Sequence, residues 1–180
     1  YKNSTVTQTI WFYDTLRRID FDTVADWHEH HLMLKAAFPV EINSDHATYE
    51  IQFGSVERPT HRNTSWDREK FEVCAHKYAD LSDGGYGVSL MNDCKYGHDI
   101  HNSDMRLTLI KADWNPGNTG VYNDLGEHEF TYSIYPHAGN LANCDVVPVG
   151  ERPDGVAFTG FAAYTPDRSR AYLLAFREVN

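Results

Sequence analysis

An antiparallel all-β sandwich is the fold class that this sequence predicts, on three observations. Apolar and polar residues alternate with a period of two through many short runs. β-branched and aromatic residues are dense in those runs, as a half-buried pleated surface prefers. Turn-forming residues separate the runs, and no stretch sustains a helical period beyond one or two turns, so there is no βα alternation to make a parallel sheet.

The first run, Val6 to Tyr13, is rich in β-branched and aromatic residues and reads as a strand. Ile19 to Trp27, Leu32 to Val40 and Thr48 to Phe53 follow the same pattern, as do Val88 to Met91, Met105 to Ile110 and Phe130 to Tyr135. In Met105 to Ile110 the alternation predicts Met105, Leu107 and Leu109 on one face, with Arg106, Thr108 and Ile110 on the other. Asp83-Gly84-Gly85 supplies the turn chemistry before one strand, and Asn115 to Gly120 fills a longer gap. Beyond Asp145 the chain has four Arg and no Lys, against six of each before it. Two more strands, Val156 to Phe161 and Ala171 to Arg177, are expected there as a hairpin about Thr165 to Arg168. Residues 1–143 are therefore read as one sandwich segment and residues 144–180 as an additional β-segment.

With 180 residues, 41% apolar and 23% charged, the chain can build a real core. Its net charge of −10 repels phosphate backbones and anionic headgroups, which argues against nucleic acid and membrane surfaces as partners. No apolar run approaches the roughly 18–20 residues of a membrane-spanning helix. The chain opens without Met and enters a strand almost at once, so its start reads as internal to a longer polypeptide. Cys74, Cys94 and Cys144 are sparse and odd in number, without a CxxC pair; free thiols in a cytoplasmic compartment are expected rather than a disulfide framework or a cysteine zinc site.

Four features carry candidate chemistry. On a strand, His28 and His30 would share a face, a spacing that zinc uses, but with His31 they lack a defined further ligand, and no metal is expected there. The polar loop Arg58 to Asp67 contains one tryptophan, and Arg58, His61 and Asn63 in it suit sugar hydroxyls, since sugars are held by aromatic faces and planar polar groups. Asn63-Thr64-Ser65 also fits the N-glycosylation pattern. At the end of the run Val88 to Met91, Asn92, Asp93, Lys95 and Tyr96 gather an amide, a carboxylate, an ammonium and a phenol; an Asp93–Lys95 ion pair is expected when no ligand is bound. Glycoside hydrolysis would need two carboxylates flanking the bond, and among 26 acidic residues the pattern singles out no such pair.

From Arg18 to Gly139 the chain resembles the C-terminal β-domain of family 38 (class II) α-mannosidases, in their bacterial and cytosolic–vacuolar branch. The residues that carry the likeness are Arg18-Ile19-Asp20-Phe21, Asp26-Trp27-His28-Glu29, Leu34 to Pro39, Tyr49 to Gly54, Arg58 to Asp67, Phe71-Glu72-Val73, Ala79 to Ser82, Tyr86 to Gly97 and Phe130 to His137. The resemblance implies a segment of a larger glycosidase-type super-sandwich. It also implies an accessory role in a zinc-dependent, retaining exo-α-mannosidase, whose nucleophile, acid/base and zinc ligands lie in a separate catalytic domain. In that reading the chain holds no cofactor and no catalytic residue and is inactive alone. Its partners are the catalytic domain and the α-mannoside, and Asn92, Asp93, Lys95 and Tyr96, with Arg58, His61 and Asn63 second, stand at the pocket's rim. Lys95 falls where the family supplies a basic, sugar-contacting side chain. The tail from Gly150 to Glu178 resembles, over a short stretch, the closing β-segment of α-galactosidase-type enzymes. A free-standing carbohydrate-binding module and a complete small glycosidase are the rival readings.

Overall fold

The computed structural model describes residues 2–112 and 124–141, together with the backbone of two short strands farther on. The strands are β1 (Thr5–Phe12), β2 (Ile19–Trp27), β3 (Met33–Pro39), β4 (His46–Ile51) and β5 (Gly54–Pro59). A single helical turn, α1 (Ser65–Arg68), precedes β6 (Val73–Cys74), β7 (Tyr78–Ser82), β8 (Tyr86–Asn92), β9 (Gly97–His101), β10 (Asp104–Lys111) and β11 (Gly126–Ala138). All pairings are antiparallel. They build a seven-stranded sheet in the order β1-β2-β11-β8-β7-β4-β5 and a four-stranded sheet in the order β3-β10-β9-β6. Beyond these, β12 (Ala162–Tyr164) pairs with β13 (Ala171–Leu173), which places the expected hairpin; the rest of the two expected tail strands, the turn at Asn115 to Gly120 and Cys144 lie outside the described residues.

The core lies between the two sheets. Trp27, Tyr49, Leu81, Leu90 and Phe130 from the larger sheet meet Ala36, Ile100, Met105 and Leu107 from the smaller one, all essentially out of solvent. The predicted alternation in β10 holds from Met105 to Leu109 and fails at Ile110. Its register against β3 shifts between Thr108 and Ile110, and Leu109 and Ile110 are both buried. The extra residue of a bulge turns Ile110 from the outer face, where strict alternation had put it, to the inside.

Strand ends also differ from the sequence reading. The run Thr48 to Phe53 begins earlier, at His46, and closes at Ile51, because Gln52 and Phe53 form a two-residue turn into β5 with Phe53 at φ 63°. The loop from Arg58 to Asp67 is shorter than expected. Arg58 and Pro59 complete β5, and Thr64 caps α1 through a reciprocal box with Asp67. Since β2 ends at Trp27, His28, His30 and His31 lie beyond the strand and the shared-face argument fails. His28 contacts Asp26 at 2.8 Å, and Glu29, between His28 and His30, is buried and accepts from the Asn3 amide at 3.1 Å.

The inward face of β1 is uncovered. Val6, Gln8, Ile10 and Phe12 sit opposite Ala25, Thr23, Phe21 and Ile19, so they point to the core side. Yet Val6, Ile10 and Phe12 are 46%, 47% and 73% exposed. Phe38 on β3 packs 5.5 Å from Phe21 and 6.2 Å from Tyr132. The smaller sheet thus reaches as far as β2 and stops short of β1.

The opposite face of the large sheet hides polar clusters that alternation alone does not announce. Asp20 is fully buried and accepts from Tyr13, Arg18 and Ser133, the last at 2.6 Å. Asp80, also buried, accepts from the Ser89 hydroxyl at 2.6 Å and from His137 Nε2 at 2.7 Å. Buried carboxylates so satisfied are structural fixtures, because removing one partner orphans the other. The His137 ring lies over Gly87, where an added Cβ would collide with it and sit 2.8 Å from Ser82 Cβ.

Candidate functional site

Two of the predicted regions can be built up from their residues. At the first, the β8–β9 connection, Asn92 is completely buried. Its amide donates to the His76 carbonyl at 3.0 Å and its Oδ1 accepts from the Lys95 backbone at 2.7 Å. Asn92 is therefore a staple for the turn, with no surface for a ligand. Asp93 is also engaged inward: its Oδ2 accepts from the Thr131 amide at 3.0 Å, and its own amide donates to the Thr131 carbonyl at 3.2 Å. The expected Asp93–Lys95 pair does not form. Lys95 instead places its ammonium 4.6 Å from the centre of the buried Phe130 ring, an attraction between a cation and the negative face of an aromatic. That leaves Lys95 half-buried with its donors available, and Tyr96 46% exposed.

The turn is braced by residues the sequence reading passed over. The His76 amide donates to the Glu50 carbonyl at 3.0 Å and the Lys77 amide to Glu50 Oε2 at 2.8 Å, while the Asn92 amide reaches the Lys77 carbonyl at 3.1 Å. Three connections, β4–β5, β6–β7 and β8–β9, are thereby tied at one end of the sandwich. The His76 ring stands edge-on to Tyr96 at 5.7 Å, and Gln52 contacts His76 Nε2 at 3.3 Å. No sequence signal marked His76, because the strand before it, β6, has only two residues and shows no period.

The second region is a small, partly open cleft between the end of β5, α1 and β9, lined by Tyr49, Arg58, His61, Arg62, His98 and Asp99 among others. Arg58 and His61 meet in it; Asn63 is exposed outside it. The Arg58 guanidinium lies 4.7 Å from the Tyr49 ring centre. Asp99 is ringed by Arg62 at 3.2 Å, Arg106 at 3.3 Å and Lys35 at 3.8 Å. Burial depresses His98 to about 4, so it is neutral at pH 7. In the lining Arg58, Arg62 and Lys70 outnumber Asp67 and Asp99. The two regions touch where His98 Nδ1 contacts the Tyr96 carbonyl at 3.3 Å, and β4 joins them as well, with Tyr49 lining the cleft and Glu50 holding His76 and Lys77.

Among the described residues no group of three or more His, Cys, Asp or Glu is placed to hold a metal ion, no helix is long and apolar enough to cross a membrane, and Cys74 and Cys94 are free and exposed. The profile of the glycosyl hydrolases family 38 C-terminal domain matches residues 1–119. The chain belongs to that family. This family 38 domain is 46% identical over 148 residues to "Alpha-mannosidase G" of Dictyostelium discoideum, covering 82% of the chain and 13% of that protein. It is 48% identical over 129 residues to "Alpha-mannosidase 2C1" of Homo sapiens, covering 72% of the chain and 12% of that protein. A crystal structure of an alpha-mannosidase from Enterococcus faecalis V583 superposes with a TM-score of 0.67 at 18% identity, over 74% of this chain and 16% of that one, a likeness of fold. The family 38 domain thus spans about an eighth of the curated relatives' length.

Proposed function

We propose that the domain is the accessory C-terminal β-domain of a zinc-dependent, retaining exo-α-mannosidase of the cytoplasm, inactive alone, that packs on the catalytic domain and completes the rim of the mannoside pocket. The uncovered inward row Val6, Ile10 and Phe12 carries the packing part. Core-side apolar residues left in water forgo the roughly 25 cal/mol per Å² that burial returns, and a further piece of polypeptide laid against them recovers it. The rim role is assigned to Lys95 and Tyr96, whose donors and aromatic face suit sugar hydroxyls and C–H surfaces. The zinc ligands, the nucleophile and the general acid are assigned to the catalytic domain. That assignment is supported by the match of residues 1–119 to the family's C-terminal domain.

The test is to express the catalytic region of the mannosidase and this chain as separate polypeptides. Association of the two is expected, with α-mannosidase activity only in the complex, and Ile10→Lys with Phe12→Lys is expected to abolish association while the chain stays folded. Two folded pieces that ignore each other would contradict the proposal.

A further inference from the structure

We infer that Gln52, His76 and Tyr96 form a saccharide-contacting face on this domain, for the vicinal hydroxyls and C–H surface of a neutral hexose. The inference deepens the rim reading above and rests on it for the choice of ligand; the three residues themselves are set by geometry. They come from three different connections yet meet at one end of the sandwich, with Gln52 Nε2 3.3 Å from His76 Nε2 and the His76 and Tyr96 rings 5.7 Å apart at 76°. The backbone on either side of His76 is fixed from below. The His76 amide is held by Glu50, and its carbonyl is held by the buried Asn92 side chain, so the imidazole is presented on a preformed support. A preformed site loses little side-chain freedom on binding, which is where weak sugar affinity is usually lost.

The chemistry of the three groups is complementary to a sugar. A Gln52 N–H donated to His76 Nε2 leaves the imidazole proton on Nδ1. The face then offers one amide oxygen as acceptor, with a second amide N–H and the imidazole Nδ1–H as donors. A pair of neighbouring hydroxyls, each both donor and acceptor, satisfies that set. Tyr96, 46% exposed, supplies an aromatic surface for the sugar's C–H face. None of the three is a carboxylate, guanidinium or ammonium, so the face itself offers neutral hydrogen-bonding groups. In the same turn as Gln52, Phe53 is fully exposed at φ 63°, a left-handed backbone that bulky residues rarely hold without a use.

The probe is methyl α-D-mannopyranoside, titrated to about 100 mM into the isotopically labelled 180-residue chain and followed by nuclear magnetic resonance. Saturable shifts are expected at the Gln52 side-chain amide, the His76 ring and Tyr96, with a Kd on the order of millimolar, as a small solvent-exposed face gives. Tyr96→Ala and Gln52→Ala should each weaken binding by about tenfold, the size of one lost contact, with amide spectra otherwise unchanged. Gln52 lies in an exposed turn, so its replacement keeps the test valid if Tyr96→Ala unfolds. Absence of saturable shifts, or shifts that survive both substitutions, would overturn the inference. The rim reading fails separately: it depends on kinetics of the complete mannosidase, and Lys95→Ala could lower turnover there even if the chain alone bound no sugar. Binding lost in both variants with mannosidase kinetics untouched would retain the face and remove it from the rim.

Discussion

The buried side chain of Asn92 holds the carbonyl of His76 at 3.0 Å, across 16 residues of sequence, and with its other end holds the amide of Lys95 at 2.7 Å. One amide thus fixes both connections that carry the proposed sugar-facing residues. Asn92→Ala leaves a backbone carbonyl and a backbone amide without partners, and a destabilisation of about 2–4 kcal/mol is expected, since each orphaned buried group costs about 1–3 kcal/mol. Urea unfolding of the chain would show it as a lower midpoint with unchanged slope. A shift corresponding to less than about 0.5 kcal/mol, the range of ordinary surface changes, would mean that the turn stands without its staple.

His98 makes stability depend on pH. Burial lowers its folded value to about 4, from an ordinary 6.5. The unfolded chain therefore binds the proton first as pH falls, so the neutral form's contribution is complete above pH 6.5 and is lost towards pH 4. The loss attributable to this residue is up to roughly 3 kcal/mol. His98→Leu should flatten that part of the stability–pH curve relative to the parent. Curves that run parallel between pH 6.5 and 4 would show that His98 does not titrate as burial demands.

Phe53 occupies the second position of a two-residue turn at φ 63°, next to Gly54. A left-handed conformation costs an ordinary residue about 1–2 kcal/mol, and asparagine tolerates it far better. Phe53→Asn is expected to raise the melting temperature, by about 2–4 °C per kcal/mol for a chain of this size. A lowered melting temperature would show that the exposed ring is held by contacts that outweigh the strain.

Much of the architecture was legible because period two is a direct consequence of a half-buried pleat. The runs around Phe21, Leu107 and Tyr132 marked β2, β10 and the middle of β11, and for β10 the alternation also gave the faces as far as Leu109. The sequence pattern failed where a second rule overrode alternation. The bulge at Thr108 to Ile110 turned Ile110 inward, and β6 and β7 were too short or too fully buried to alternate: Tyr78, Ala79, Asp80 and Leu81 are all enclosed. Asp20 and Asp80 gave little warning of burial because two of their hydrogen-bond partners, Ser133 and His137, lie 113 and 57 residues away, although Arg18 stands only two residues from Asp20. The candidate site was half visible. The cluster Asn92 to Tyr96 was found as a group of polar types at a strand end. Which of them face solvent depended on contacts with His76, Thr131 and Phe130 that no local window contains.

The central claim, that this domain supplies part of an α-mannoside pocket's rim, is tested most directly by Lys95→Ala in the complete mannosidase. The ammonium rests on the Phe130 ring, 4.6 Å away, a contact of about 1–2 kcal/mol for a half-buried cation on a buried ring, so the melting temperature should fall by no more than about 4–8 °C. Loss of a charged hydrogen bond to the sugar should cost about 1–3 kcal/mol of transition-state binding, which is roughly a 5- to 150-fold fall in kcat/KM. That kinetic loss with the melting temperature inside that range is the predicted result, and kcat/KM equal to the parent's would contradict the account.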